Sequence, residues 1–128
     1  EYLLFYKKDG EGYVTSMDAY FKELGEDARA VDYGMAAQQV YTATGGKVPE
    51  SVILKTKEWT VKALQYTDIS LMDKINFLAM LGDTNKVLKE YVEAKKCYNQ
   101  AFIVSAEIEN KQLMVQLQQM IQDRLSVL

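Results

Sequence analysis

The chain has 128 residues, 48% of them apolar and 26% charged, with a net charge of −3 and no histidine. That is one domain's worth of chain, long enough to bury a core without disulfide or metal staples, and its ordinary globular composition argues against disorder. Fifteen Lys and Arg against eighteen Asp and Glu lack the basic excess of a nucleic-acid binder, and no apolar run reaches the length of a membrane span.

One proline and seven glycines are too few for a strand-and-turn-rich protein. The reading is therefore all-α, with residues 1–128 forming a single helical domain. The chain begins at Glu1 with the apolar run Tyr2-Leu3-Leu4-Phe5-Tyr6 and no signal-peptide pattern. The expectation is a mature or excised piece of a longer polypeptide. Residues 2–6 are read as helix, because no second strand of similar strength exists to pair with them.

Met17, Tyr20, Phe21 and Leu24 share one face of a helix over about 14–24, which Gly25 stops. Asp27 is expected to cap a second helix over 28–43, carrying Val31, Met35, Ala36, Val40 and Ala43 and ending at Gly45-Gly46. Pro49 suits the first turn of a third helix that runs to Tyr66. Its stripe is Val52, Thr56, Trp59, Ala63 and Tyr66, with Trp59 expected in the core. Ser70 and Asp73 form a capping-box pair that opens a fourth helix over 71–81. Gly82-Asp83 reads as its stop. A fifth helix carries Val87, Tyr91, Ala94, Tyr98 and Ala101 at spacings of 4, 3, 4 and 3. Small and large residues alternate there, as close antiparallel packing requires. A last helix over 109–126 has an apolar stripe of Leu113, Leu117, Met120 and Ile121 and a glutamine-rich remainder, which suits a terminal cap.

Lys57-Glu58-Trp59 is echoed by Lys89-Glu90-Tyr91 after 32 residues, near the period of about 34 of a helix–turn–helix repeat. Leu81-Gly82-Asp83 followed by Tyr91-Val92-Glu93-Ala94 resembles the tetratricopeptide (TPR) repeat. In that register Gly82-Asp83 is the turn between the two helices of a unit. A rival register places Gly82 inside the first helix and uses Ala94, Tyr98 and Ala101 as the small-large-small signature. The first is preferred, because Gly-Asp-Thr-Asn is poor helix interior and good turn. The family's proline at the end of the unit is missing in both. The resemblance implies about six helices in antiparallel hairpins, stacked with a right-handed twist, and a protein-interaction role.

A more particular resemblance spans about residues 31–121. Its pieces are Met35-Ala36-Ala37-Gln38-Gln39-Val40-Tyr41, Lys57-Glu58-Trp59 through Ala63-Leu64, and Phe77-Leu78-Ala79-Met80-Leu81-Gly82. Their order is similar to the helical extension after a thioredoxin-like domain in some bacterial exported proteins. That resemblance implies an accessory part of a thiol–disulfide oxidoreductase in the periplasm or another exported location; without it the expectation is cytoplasmic. The Cys-x-x-Cys motif is not in this chain, so no redox role passes to any residue. A peptide-sensing receptor domain is a further alternative.

The absence of histidine excludes Ser-His and Cys-His nucleophile activation and histidine-bearing metal sites. Cys97 reads as an ordinary helix residue. Gly45-Gly46-Lys47 lacks the first glycine and the closing Ser or Thr of a phosphate loop, having Tyr41 and Val48 there. Asp9 and Glu11 lack the further ligands of a calcium loop. The carboxylate pairs Glu90/Glu93 and Asp68/Asp73 could in principle do acid–base work, but Glu90 and Glu93 lie among lysines, which favours a salt-bridged, solvated face. No catalytic residue, cofactor or metal is expected. The tyrosines carry the functional hint, since an apolar ring with a polar tip is favoured at binding surfaces. Tyr33, Tyr41, Tyr66, Tyr91 and Tyr98 are the candidates for a groove that takes a protein, a peptide or an upstream domain of the same chain. Packing between helices is the alternative for each.

Overall fold

A computed structural model describes the backbone of residues 10–44 and 49–128 and the side chains of 12–40 and 49–128. Among these residues the chain is all-helical, with no strand. The expectations for Tyr2–Tyr6 and for the Gly45-Gly46 bend lie outside the described residues. The chain divides between Tyr66 and Thr67 into two compact units.

The first unit contains α1 (Gly10–Leu24), a 3-10 turn (Gly25–Asp27), α2 (Ala30–Thr44) and α3 (Glu50–Leu64). Gly25 stops α1 as expected: its φ of 53° is a conformation that costs a side chain but not glycine. Asp27 does not cap α2. It sits in the 3-10 turn, and the Asp32 carboxylate instead accepts from the Arg29 backbone N–H at 2.8 Å. Pro49 lies one position earlier than the first turn, at the N-cap of α3, where its carbonyl accepts from Val52 and Ile53. α2 packs chiefly on α3, and Ala36, Ala37 and Val40 are buried on it. Thr56 and Thr60 are fully buried on α3, yet their hydroxyls donate to the carbonyls of Ile53 and Thr56, both at 2.7 Å. Burial therefore leaves neither hydroxyl unsatisfied.

The second unit contains α4 (Leu71–Val87), α5 (Tyr91–Ser105) and α6 (Lys111–Ser126). One half of the expected capping box forms: Ser70 caps α4, its Oγ accepting from the Asp73 N–H at 3.1 Å. The expected stop at Gly82-Asp83 does not. α4 runs through both residues for another turn and more, and the reversal falls at Leu88–Glu90, where Lys89 takes a φ of 62°. Local propensity favoured a break at glycine; packing against α5 overrides it. A Cβ on Gly82 would stand 2.5 to 2.9 Å from three ring atoms of Tyr98. The glycine is thus the space into which the tyrosine ring fits, and helix α4 must continue past it to offer that space. Ala94, Tyr98 and Ala101 are buried on the facing side of α5, while Val87 closes α4 and Tyr91 opens α5 half-exposed. α6, capped by Asn110, packs on α5 and buries Leu117 and Ile121.

Candidate functional site

The five candidate tyrosines fall into different environments. Tyr33 is buried on α2, between Phe21 at 4.3 Å and Tyr66 at 6.4 Å between ring centroids. The Lys62 ammonium lies 5.0 Å above the Tyr33 ring, in reach of a cation–π contact. Tyr66, just beyond α3, is partly buried and donates from its hydroxyl to the Ala28 carbonyl at 2.9 Å, tying the end of α3 to the start of α2. The Tyr41 side chain lies outside the described residues. In the second unit Tyr98 is 1% exposed, whereas Tyr91 is 50% exposed at the head of α5. The structure thus brings Tyr33 and Tyr66 together and gives Tyr98 a packing contact of its own.

The hydroxyl of Tyr98 donates to Asp83 Oδ1 at 2.5 Å, and the same oxygen receives Arg124 Nε at 3.1 Å. One carboxylate on α4 therefore joins α5 and α6. Burial of the phenol, then its hydrogen bond to Asp83, holds the Tyr98 pKa far above the ordinary phenol range. The neutral, donating form is the one the fold keeps. The residue thus acts as a structural knob with a polar tip.

A more open recess lies between α1 and α2. It encloses about 400 Å³, with Phe21 and Ala36 at its base and Met17, Tyr20 and Met35 on its walls. Tyr20 is 49% and Met35 51% exposed. Tyr13 donates to Gln39 Oε1 at 2.5 Å across the two helices, and Arg29 pairs with Asp32 at 3.7 Å. The groove combines apolar walls with Arg29, Asp32 and Gln39, polar groups that can fix an orientation, the pattern of recognition sites. The sequence contained a signal for it. Tyr20 and Met35 sit on the apolar stripes of their helices, but nothing in one helix tells which stripe residues a neighbour leaves uncovered.

Cys97 is buried on α5, where Asn85 Nδ2 approaches its Sγ at 3.6 Å. Glu93 pairs with Lys96 at 3.5 Å on the exposed face of α5, one turn apart as read from the sequence. No group of three metal-ligating side chains occurs among the described residues, and none of their helices is long and apolar enough to cross a membrane. No protein-family model, no curated protein and no solved structure matches this chain.

Proposed function

We propose that the chain is a non-catalytic, TPR-like helical module that binds a protein or peptide segment, with the groove between α1 and α2 as the contact surface. The observation that carries this reading is the α4–α5 hairpin. Gly82 on one helix receives Tyr98 from the other, and Tyr98 is flanked at the repeat's spacing by the buried Ala94 and Ala101. This is the rival register of the TPR resemblance, with glycine as helix interior. Helical hairpins of this kind are scaffolds whose exposed grooves recognise extended or helical peptides, with aromatic and methionine side chains as adaptable contacts. Tyr20 and Met35 are such side chains, and a single large exposed apolar residue of either kind would need no explanation, whereas two on facing walls of one groove do.

The test is selection of peptides from a displayed random library on the purified chain, followed by the variants Tyr20→Ala and Met35→Glu. Enrichment of a shared apolar motif, with binding lost in both variants while their circular dichroism stays native, is the expected result. No enriched motif, or one that binds both variants as it binds the parent, overturns the reading.

A further inference from the structure

We propose that the first unit holds a second site, distinct from the α1–α2 groove, that binds a carboxylate carried on a short apolar stem. The site is a cavity of about 430 Å³ that runs from α1 past the Gly25 turn to α3, within the size range of small-ligand sites. It does not depend on the TPR likeness, which concerns other helices.

The argument begins with charge. Three lysines and two carboxylates line the cavity. Lys55 takes both carboxylates for itself, reaching Asp18 on α1 at 3.0 Å and Glu58 on its own helix at 3.3 Å. Its partial burial would lower its pKa, but hydrogen bonds and charge from the two acids raise it, so the cluster stays a closed triplet with net charge −1. Lys22 on α1 and Lys62 on α3 are left over. Neither takes part in an ion pair among the described residues; Lys62 rests over the Tyr33 ring instead. The triplet keeps one negative charge, so the lining as a whole carries a single positive charge in excess, and that excess lies with the two ammonium groups outside the triplet, on the two helices that form the walls. Two like charges lining one recess repel each other and favour an anion between them.

The floor sets the rest of the ligand. Phe21, Tyr33 and Trp59 close the base of the cavity, all nearly fully buried and stacked edge to face or tilted, so that the base is rigid and apolar. An apolar stem can lie on it while the carboxylate faces Lys22 and Lys62. The rim beside Gly25 is open, since a Cβ there would meet nothing within 4 Å. A free organic acid and a glutamate side chain of a polypeptide share this chemistry.

Trp59, the only tryptophan of the chain, lines the cavity and serves as its reporter. The experiment titrates the full chain with 4-phenylbutyrate, with 4-phenylbutyramide and with a capped glutamate-containing pentapeptide amide, following Trp59 emission. Saturable change with an acid and none with the amide is expected. Lys22→Gln and Lys62→Gln should each weaken the acid by about two- to fivefold, and together by about tenfold or more, as for exposed ion pairs in a shallow cavity. Lys111→Gln, the same charge change in the second unit, should leave the titration unaltered. Tighter binding of the free acid or of the pentapeptide identifies which source the site prefers, and either supports it. Equal response to phenylbutyrate and its amide, no response to any acid, or an unaltered titration in the double variant overturns the proposal.

Discussion

The two units solve the same packing problem with opposite side chains. In the first, the space between helices is filled by large rings: Tyr13 and Phe21 meet Trp59 edge-on at 6.4 and 5.6 Å, and Phe21 tilts against Tyr33. In the second, the space is abolished. Gly82, Ala94 and Ala101 let α4 and α5 approach until a single tyrosine ring bridges them, and Asp83 fixes that ring from above. Rings held by other rings are a matter of volume; a ring held against a glycine is a matter of clearance. The first arrangement should be sensitive to atoms removed and the second to atoms added.

Removal at the centre of the first unit is the largest expected effect. Trp59→Ala deletes a side chain that is 2% exposed and touches two other rings, and should cost about 3–5 kcal/mol of stability. Trp59→Phe, which keeps a ring, should cost clearly less. Urea titration followed by circular dichroism measures both. A loss under about 1 kcal/mol for the alanine variant would mean that the aromatic cluster is not the core of its unit.

Addition at Gly82 comes next, and it decides between two accounts of that residue. Helix propensity alone makes Gly82→Ala stabilising by about 1 kcal/mol. Clearance makes it destabilising by about 1–3 kcal/mol, because the new methyl falls within 3 Å of the Tyr98 ring and the obstacle is a ring buried between two helices. The sign alone discriminates. In Tyr98→Leu the ring is gone, so adding Gly82→Ala to that background should cost little or stabilise, and the non-additivity measures the interlock.

The polar tip of Tyr98 gives a smaller, pH-dependent effect. Tyr98→Phe keeps the ring and removes a hydrogen bond, for about 1 kcal/mol near neutrality. The Tyr98 pKa is raised in the folded state, so the folded chain holds the phenol proton to higher pH than the unfolded chain does. The stabilisation is complete below the ordinary phenol pKa of 10.0 and is lost as pH rises above it. Lys55, also raised, acts in the same direction but is common to both proteins. The two proteins should therefore run parallel up to about pH 10, and above it the parent should lose stability more steeply than Tyr98→Phe does, as urea midpoints at each pH would record. Curves that stay parallel above that pH would detach the phenol from the fold's alkaline limit.

These contrasts also mark what the sequence makes legible. Helical periodicity at 3 and 4 makes the all-helical structure and the burial of Trp59 legible, and local capping signals do the same for the N-cap at Ser70 and the stop at Gly25, because each depends on a residue and its near neighbours. Gly82 was misread as a bend for the complementary reason. Its role is set by Tyr98, sixteen positions away on another helix, and local propensity cannot see that partner. The same holds for the tyrosines. Spacing placed Tyr98 on a stripe with Tyr91, but α5 begins at Tyr91, so the one ring is enclosed by α4 and the other stands half in solvent. The α1–α2 groove was out of reach because exposure of Tyr20 and Met35 is a property of how two helices meet, not of either alone.

The true bend offers the smallest effect and the sharpest statement of this limit. Lys89 occupies a left-handed conformation with φ of 62°, where glycine or asparagine is the usual choice, and no residue of Leu88-Lys89-Glu90 announces a turn. The conformation is imposed from both sides: the Lys89 N–H reaches the Lys86 carbonyl at 3.0 Å and the Glu90 N–H reaches the Asn85 carbonyl at 2.8 Å, which closes the end of α4. Lys89 is exposed and pays for the geometry with its own Cβ. Lys89→Gly relieves that strain while adding freedom to the unfolded chain, and the balance should favour the fold by about 0.5–1 kcal/mol. Lys89→Val, which adds a branch at Cβ, should destabilise it by a comparable amount or more. If instead Gly82 were the bend and α4 ended there, Lys89 would lie within α5, where glycine costs about 1 kcal/mol relative to a good helix former. One substitution, read as a rise or a fall in the urea midpoint, thus locates the reversal of the chain.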